Sequence, residues 1–565
     1  MTGPIQHPQS PPTPLPTDGS SSRWSDLDPV QDAKDLLKVG DKFLRRDDYD
    51  ARAIAFGEAI QQGDAQYRQE LVAEILRQDP NAFNSWMTPA RINDLVDSGQ
   101  IPQTARDAMV EGLAGAYNNG LLPTHEIRNQ AGEVVGETSA LDTFLYSGTG
   151  NFDLDGQVEH AQHMRELAEF FGGPLYSAEV SEFRGNFANH LIANYALNSG
   201  IDNGMVRDNA ATLAAIVLNG DPTRGDIAAE VLGGLDQGQL DAFMERVARG
   251  GQWLTAERLE HIVPGSTVAL RDGLDVSDIA LADQASSLIA QVSRVQSTEA
   301  QEAAAMLARL PANAGDIFSS RHSENAQDRI DAMGLLFSNH STAILDSLTD
   351  YSTNKIGSKD DADLKQYMKD ASDLGALFNI VLFDSGQAYQ GSTRAAVLDY
   401  AAGLKERINT EEGDADAMGQ LAMLMGGADD AITQGFNSLK EREEAQEKLL
   451  SFIVDLAVAG IPVASKAKES VAELLGEVFD SPAVTDALKG LSGKIIDSAT
   501  GRLTTEAKEA IAEVVGEDEA ELLSQQEASN ALREAMMGGI ADQRDLAAIQ
   551  NYAEDVSQGI NIWRK

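Results

Sequence analysis

Apolar residues recur every three or four positions through most of the 565 residues, and short clusters of Gly, Pro, Asn and Asp interrupt them. That period lays an aliphatic stripe along one face of a helix, and a stripe of this kind must be buried against another helix. Aromatics make up only 6% of the chain, which favours helices packed through small and aliphatic side chains over a β-sandwich. The expected fold is all-α: a multi-bundle array of helical hairpins with one small β-hairpin near 125–137. A hydrophobic fraction of 42% is enough for real cores. The length exceeds what one core serves, so roughly three or four domains or sub-bundles are expected.

The segment 1–27 is rich in Pro, Ser and Thr, lacks a basic start and an apolar run, and reads as a disordered leader and not a Sec signal peptide. An N-terminal helical domain follows over 28–120, opened by Asp28-Pro29, a capping carboxylate before a proline. Thr88-Pro89 repeats the signal. Residues 121–156 are the least helical, with two β-prone runs around Gly132 and then a polar Gly- and Asp-rich loop from Ser147 to Gly156. Further helical domains are expected over 157–275 and 276–435, and an acidic helical domain over 436–565. Within the last, LLSFIVDLAVAGIPVA (449–464) is the most apolar run. It contains Asp455, Gly460 and Pro462 and is too short to span a bilayer, so a buried helical hairpin is expected. Ala73–Leu76 leading into Met87–Val96 is echoed by Ala229–Leu232 leading into Leu235–Met244, and more weakly at Trp253–Ile262. The spacing is irregular, as in helical hairpins and unlike a solenoid.

Charge and cysteine usage exclude several function classes. Forty-four Lys and Arg against 89 Asp and Glu give a net charge of −45, which repels phosphate backbones and anionic membranes. A protein partner carrying basic charge suits such a surface. With no cysteine, disulfides, Fe–S clusters, thiolate catalysis and Cys-ligated zinc are impossible.

The sharpest local motif is Asn151-Phe-Asp153-Leu-Asp155-Gly156. Oxygen ligands alternating before a glycine match the start of an EF-hand-type calcium loop, with Glu159 as a further ligand. The residue in the place of the bidentate Glu is Gln162. Asn151, Asp153, Asp155 and Glu159 are thus candidate Ca²⁺ ligands, and an Asx-rich turn capping the helix near Val158 explains the same residues. His160 and His163 share a helical face, but zinc catalysis wants a third ligand from afar, such as His125 or His190, so two solvent-facing histidines are expected. In Arg224-Gly225-Asp226 the aspartate is expected to cap the helix 227–232. No nucleophile elbow, Walker loop or dinucleotide fingerprint follows a predicted strand. A carboxylate pair of the glycosidase kind has no sequence spacing that would reveal it.

The run Ala211–Leu232 resembles the long helical, non-catalytic regions ahead of the toxic tips in bacterial secreted polymorphic toxins. So does the succession of a charged helix (440–448), an apolar hairpin (449–464) and acidic amphipathic helices. The likeness spans about residues 60–260 and 410–530 and carries no site residues. It implies a non-enzymatic helical effector, scaffold or delivery protein that acts by protein–protein binding, exported by a non-Sec bacterial route or resident in the bacterial cytoplasm. Two alternatives stand beside it: a metal-dependent hydrolase or calcium-binding protein with its site around 147–166, and a structural component of a phage or secretion apparatus.

Overall fold

In a computed structural model, the described residues are 24, 27–39, 46–128, 134–146, 154–201, 203–250, 283–319, 325–350, 361–384, 387–410, 414–439, 453, 471–473, 475–476, 481–495, 504–517 and 525–563. They are almost wholly helical, with one two-stranded sheet. Contacts divide the chain into two compact units, Met1–Leu145 and Tyr146–Lys565.

In the first unit, helices begin where short polar side chains meet the first orphan amides. Asp28 Oδ1 accepts from the amides of Val30 and Gln31, both at 3.1 Å, and starts Pro29–Leu36. Asp64 starts Ala65–Gln78 (2.9 Å), and Thr88 starts Pro89–Asp97 (3.2 Å). These caps satisfy donors that would otherwise be left open. With Arg46–Gln62 and Gln103–Asn118 the helices enclose Phe56 and Trp86, whose rings meet edge to face at 5.9 Å. The expected hairpin is present: Thr124–Arg128 pairs antiparallel with Val134–Ser139, with a bulge between Ile127 and Arg128. Of the expected leader, Trp24 and Leu27 are described, and Trp24 is buried.

The second unit is built around Gly204–Asn219, a helix buried almost all round from Asn209 to Leu218. Leu154–Gly172, Ala178–Leu191, Gln237–Gly250 and Gln284–Ser293 pack on it. Ala326–Leu348 then joins Gln284–Ser293 to Gln387–Thr410, and Asp361–Phe378, Ala415–Leu439 and Gln543–Trp563 form a further mutual packing. Ala178–Leu191 and Asp361–Phe378 each run on into a π-turn, at Ile192–Ala196 and Asn379–Asp384. The first two echoed segments are helix–turn–helix units, 65–78 with 89–97 and 225–233 with 237–250; the third lies outside the described residues. So does the apolar run 449–464 except Ile453, which is buried. Among the described residues no helix is long and apolar enough to cross a membrane.

Asp226 is not the cap it was expected to be. The helix is Gly225–Gly233, Arg224 holds the cap position, and Asp226 stands in the first turn, paired with Arg224 at 2.9 Å. The helix begins two residues earlier than expected, which explains the difference, and a carboxylate in a first turn still meets the positive end of the helix dipole.

Helix C-termini are treated differently from N-termini: buried or half-buried basic or amide side chains from elsewhere in the unit reach their last carbonyls. Arg52 donates to Leu37 O and Val39 O (both 3.0 Å) beyond Pro29–Leu36. Arg184, 1% exposed, donates to Phe171 O (3.1 Å) and Gly173 O (2.6 Å) at the end of Leu154–Gly172. Gln237 reaches Met306 O (3.1 Å), and Arg309 reaches Ser347 O (3.3 Å) while pairing with Asp370 and Asp373.

The Asn209 carboxamide is fully buried, and neither its oxygen nor its nitrogen meets a hydrogen-bond partner among the described residues. An unsatisfied buried amide costs about 1–3 kcal/mol. Asn209→Leu, which has the same branched heavy-atom skeleton and is apolar, is expected to raise the unfolding free energy by roughly that amount. Urea denaturation followed by circular dichroism measures it, and a loss of stability would show that the carboxamide is needed.

Candidate functional site

The helices Ala326–Leu348 and Gln387–Thr410 run side by side in the second unit and leave between them an open groove of about 640 Å³. From the first helix come Ser338, Ser341, Thr342 and Asp346; from the second, Ser392, Ala396, Asp399, Tyr400, Gly403 and Arg407. Each set repeats at three- and four-residue intervals, so each lies on one helical face. Ser338, Ser341, Ser392, Ala396 and Gly403 are small, which leaves space between the walls.

Two hydrogen bonds clasp the walls. Ser338 Oγ and Ser392 Oγ lie 2.8 Å apart, and Tyr400 donates its hydroxyl to Asp346 Oδ1 at 2.8 Å. Tyr400 also contacts Thr349 Oγ1 at 3.0 Å. Burial above all, reinforced by the charge of Asp346, pushes the Tyr400 phenol well above its ordinary value, so it stays protonated and donates. Arg407 is turned to the end of the groove, where Asp414 Oδ2 (2.9 Å) and Gln420 Oε1 (3.2 Å) hold it. Asp399 is exposed.

Each wall carries a local break from regular helix. The first is kinked at His340 (φ −126°, ψ 20°). There Asn339 Nδ2 donates to Ser293 O (2.9 Å), and His340 Nε2 lies 3.2 Å from Val292 O. Both carbonyls belong to the last turn of Gln284–Ser293, so the kink turns two consecutive side chains into a C-terminal cap. The second wall follows the π-turn Asn379–Asp384, whose Val381 carbonyl accepts from Thr393 Oγ1 at 3.0 Å. Local π-turns in helical proteins recur at functional positions.

On the opposite side of the second wall, Lys405 is fully buried and donates from Nζ to Ala535 O at 3.1 Å, in the last turn of Gln525–Met537. Burial pushes its amine down to about 7.

The residues singled out in the sequence lie elsewhere. Asn151 and Asp153 fall outside the described residues, and Asp155 and Glu159 fall within the first turns of Leu154–Gly172. Among the described residues no group of three or more His, Asp or Glu is placed to hold a metal ion. The expectation of two solvent-facing histidines is corrected for His160, which is 1% exposed; His163 is half-buried. His160 shares its face with Met164, Leu167 and Phe171, the buried stripe that packs toward Gly204–Asn219. His190 lies 3.0 Å from Asn194 through Nδ1, and His125 stands on the first strand of the hairpin.

The groove therefore offers hydroxyls, two carboxylates and one guanidinium already engaged by an acid. That inventory suits reversible polar binding. Arg407 is the base on its described lining, and the lining hydroxyls of Ser338, Ser392 and Tyr400 bond to one another's wall, to Asp346 and to Thr349. The sequence matches no protein-family model and no curated protein.

The kink carries its own pH signature. Burial, opposed by the Val292 and Ser293 carbonyls, holds the His340 imidazole below its ordinary value of 6.5. The unfolded chain then takes up this proton first, so the contribution of neutral His340 is complete above pH 6.5 and is lost as pH falls below it. His340→Gln, which keeps a donor without the titration, is expected to flatten that acid limb in denaturation measured from pH 8 to pH 5. An unchanged limb would assign the acid sensitivity to other groups.

Proposed function

We propose that this protein is a non-enzymatic helical effector, scaffold or delivery protein of a bacterial secretion or toxin system, and that it acts by binding a basic protein partner. The observation that carries the reading is the clasped groove, where Asp346 and Asp399 stand on facing helices among hydroxyls, in a chain with net charge −45. The nearby guanidinium of Arg407 is held by Asp414, so its charge does little to offset the two acids. Extended lysine- and arginine-rich segments match this pattern: their cations meet the carboxylates, and their backbone amides meet the hydroxyls. Packed helical hairpins support the same reading, since they present rigid side-chain rows on which a partner can be read. The likeness to the non-catalytic regions of secreted toxins supplies the biological setting.

The test is titration of the full chain into a fluorescent Lys/Arg-rich peptide, followed by anisotropy. Binding is expected to weaken steeply with salt, because the contributing charges are near the surface. The double variant Asp346→Asn/Asp399→Asn should weaken it roughly tenfold, about 1.4 kcal/mol for two partly exposed charge contacts. Equal affinity of the variant at every salt concentration would remove the groove from the interaction. Absence of binding by the wild type, with turnover in a panel of hydrolase substrates, would overturn the reading altogether.

A further inference from the structure

The Tyr400 hydroxyl stands between two acceptors. Asp346 Oδ1 lies 2.8 Å from it and Thr349 Oγ1 lies 3.0 Å from it. Thr349 caps the C-terminus of Ala326–Leu348, and its Oγ1 lies 2.7 Å from the Leu345 carbonyl, which also accepts the Thr349 amide at 2.7 Å. Thr349 is fully buried, Tyr400 is half-buried and Asp346 is exposed. A short chain of hydroxyls therefore runs from a buried carbonyl out to a carboxylate on the groove wall.

Each hydroxyl has one proton to give and can also accept, so the chain can be filled in two directions. In one, Thr349 donates to Tyr400 and Tyr400 donates to Asp346. In the other, Tyr400 donates to Thr349, Thr349 donates to Leu345 O, and Asp346 is let go. Neither arrangement orphans a buried group, because the Leu345 carbonyl keeps the Thr349 amide in both. Burial holds the phenol above its ordinary value, so the proton that turns is present in both. Without a competing cation the first is favoured, since a hydrogen bond to a carboxylate is the stronger one.

The two arrangements differ in what Asp346 offers to the groove. With Tyr400 on Oδ1, the oxygen left without a hydrogen bond among the described residues is Oδ2. A lysine ammonium is a compact point charge, and one oxygen serves it. An arginine guanidinium docks its planar fork on both carboxylate oxygens. The fork therefore competes with the phenol, and the ammonium does not.

On the reading of the groove as a site for a basic segment, we propose that Tyr400 sets its choice between cations: the hydroxyl on Asp346 favours lysine, and its turn to Thr349 admits arginine. Thr349 is a positioning residue that acts through Tyr400.

Two fluorescent peptides of equal length and charge test this, one with lysine as its sole basic residue and one with arginine. Each is titrated with the full chain and followed by anisotropy, and the ratio of the two affinities is the readout. The wild type is expected to favour lysine. Tyr400→Phe removes the hydroxyl and keeps the ring; it should move the ratio about tenfold toward arginine, the scale of one hydrogen bond to a charged group. Thr349→Val removes the second acceptor and should move the ratio the other way, while Thr349→Ser should keep the wild-type ratio. Adding Thr349→Val to Tyr400→Phe should change nothing further, because no phenol proton remains to turn. A wild-type ratio in Tyr400→Phe, or a Thr349→Val effect that persists without the Tyr400 hydroxyl, would overturn the proposal. If Asp346→Asn/Asp399→Asn still weakens both peptides in that case, the groove remains a site for basic segments without this selectivity. Failure of both peptides to bind the wild type would overturn the two readings together.

Discussion

A helix that ends inside a protein leaves carbonyls that water cannot reach, and an array of short helical hairpins produces many such ends. Here cations and amides from elsewhere in the fold, most of them buried, supply the missing donors. Arg52, Arg184 and Arg309 each reach backbone carbonyls at or just beyond a helix end, as do His340, Asn339 and Lys405. Arg329 does the same for Ile317 at the end of a 3-10 turn (2.8 Å), with Asp283 beside it at 2.5 Å. A donor with several N–H groups suits this task, because adjacent carbonyls at a helix end diverge. The cation also meets the negative end of the dipole. The cost is desolvation, and it shows in Arg52 and Arg184, whose burial lowers the affinity for the proton.

This constraint bears on the charge of the whole molecule. The chain has only 44 basic residues, and several of them are spent inside as caps. Acidic residues are used inside as well: Asp283 caps Gln284–Ser293 beside Arg329, Asp373 pairs with Arg309, and Asp32 accepts from the Tyr67 hydroxyl. Buried acids and buried bases are similar in number among the described residues, so the exterior keeps the strong negative charge of the composition. A partner meeting that exterior encounters mostly carboxylates, and in the groove it encounters them together with hydroxyls at fixed spacing.

The N-terminal caps and the helix class were legible because their information is local. Asp28-Pro29 and Thr88-Pro89 place cap and first turn within three residues, and the hairpin near 125–137 is a turn between two short β-prone runs. The C-terminal caps were not legible, because their partners are distant: 13 residues separate Arg184 from Phe171, and 130 separate Lys405 from Ala535. The groove was hidden for a related reason. The polar row Ser392, Ala396, Asp399, Gly403 and Arg407 reads as an ordinary solvated face until the helix 326–348 is known to lie beside it. One signal was present and unused. Leu398, Ala401 and Ile408 form a buried stripe at helical spacing, and Lys405 stands in that stripe, four residues after Ala401. A lysine in an apolar row marks either a snorkelling side chain or a buried amine, and here it is the latter.

The helix Gln387–Thr410 thus belongs to two neighbourhoods at once. Through Asp399, Tyr400 and Arg407 it faces the groove; through Lys405 and Asn409 it grips the end of Gln525–Met537. Residues 404 and 405 are adjacent in sequence but about 100° apart around the helix, so neither neighbourhood touches the other directly. Any communication between them would have to pass through displacement or rotation of this one rod. The Tyr400–Asp346 and Ser338–Ser392 clasps resist such a displacement, since both join it to 326–348. A cation that draws Asp346 away from Tyr400 would loosen that clasp and leave Tyr400 held by Thr349 alone. The same rod would then be freer to move at Lys405, where the seam holds a buried amine in place of an apolar contact.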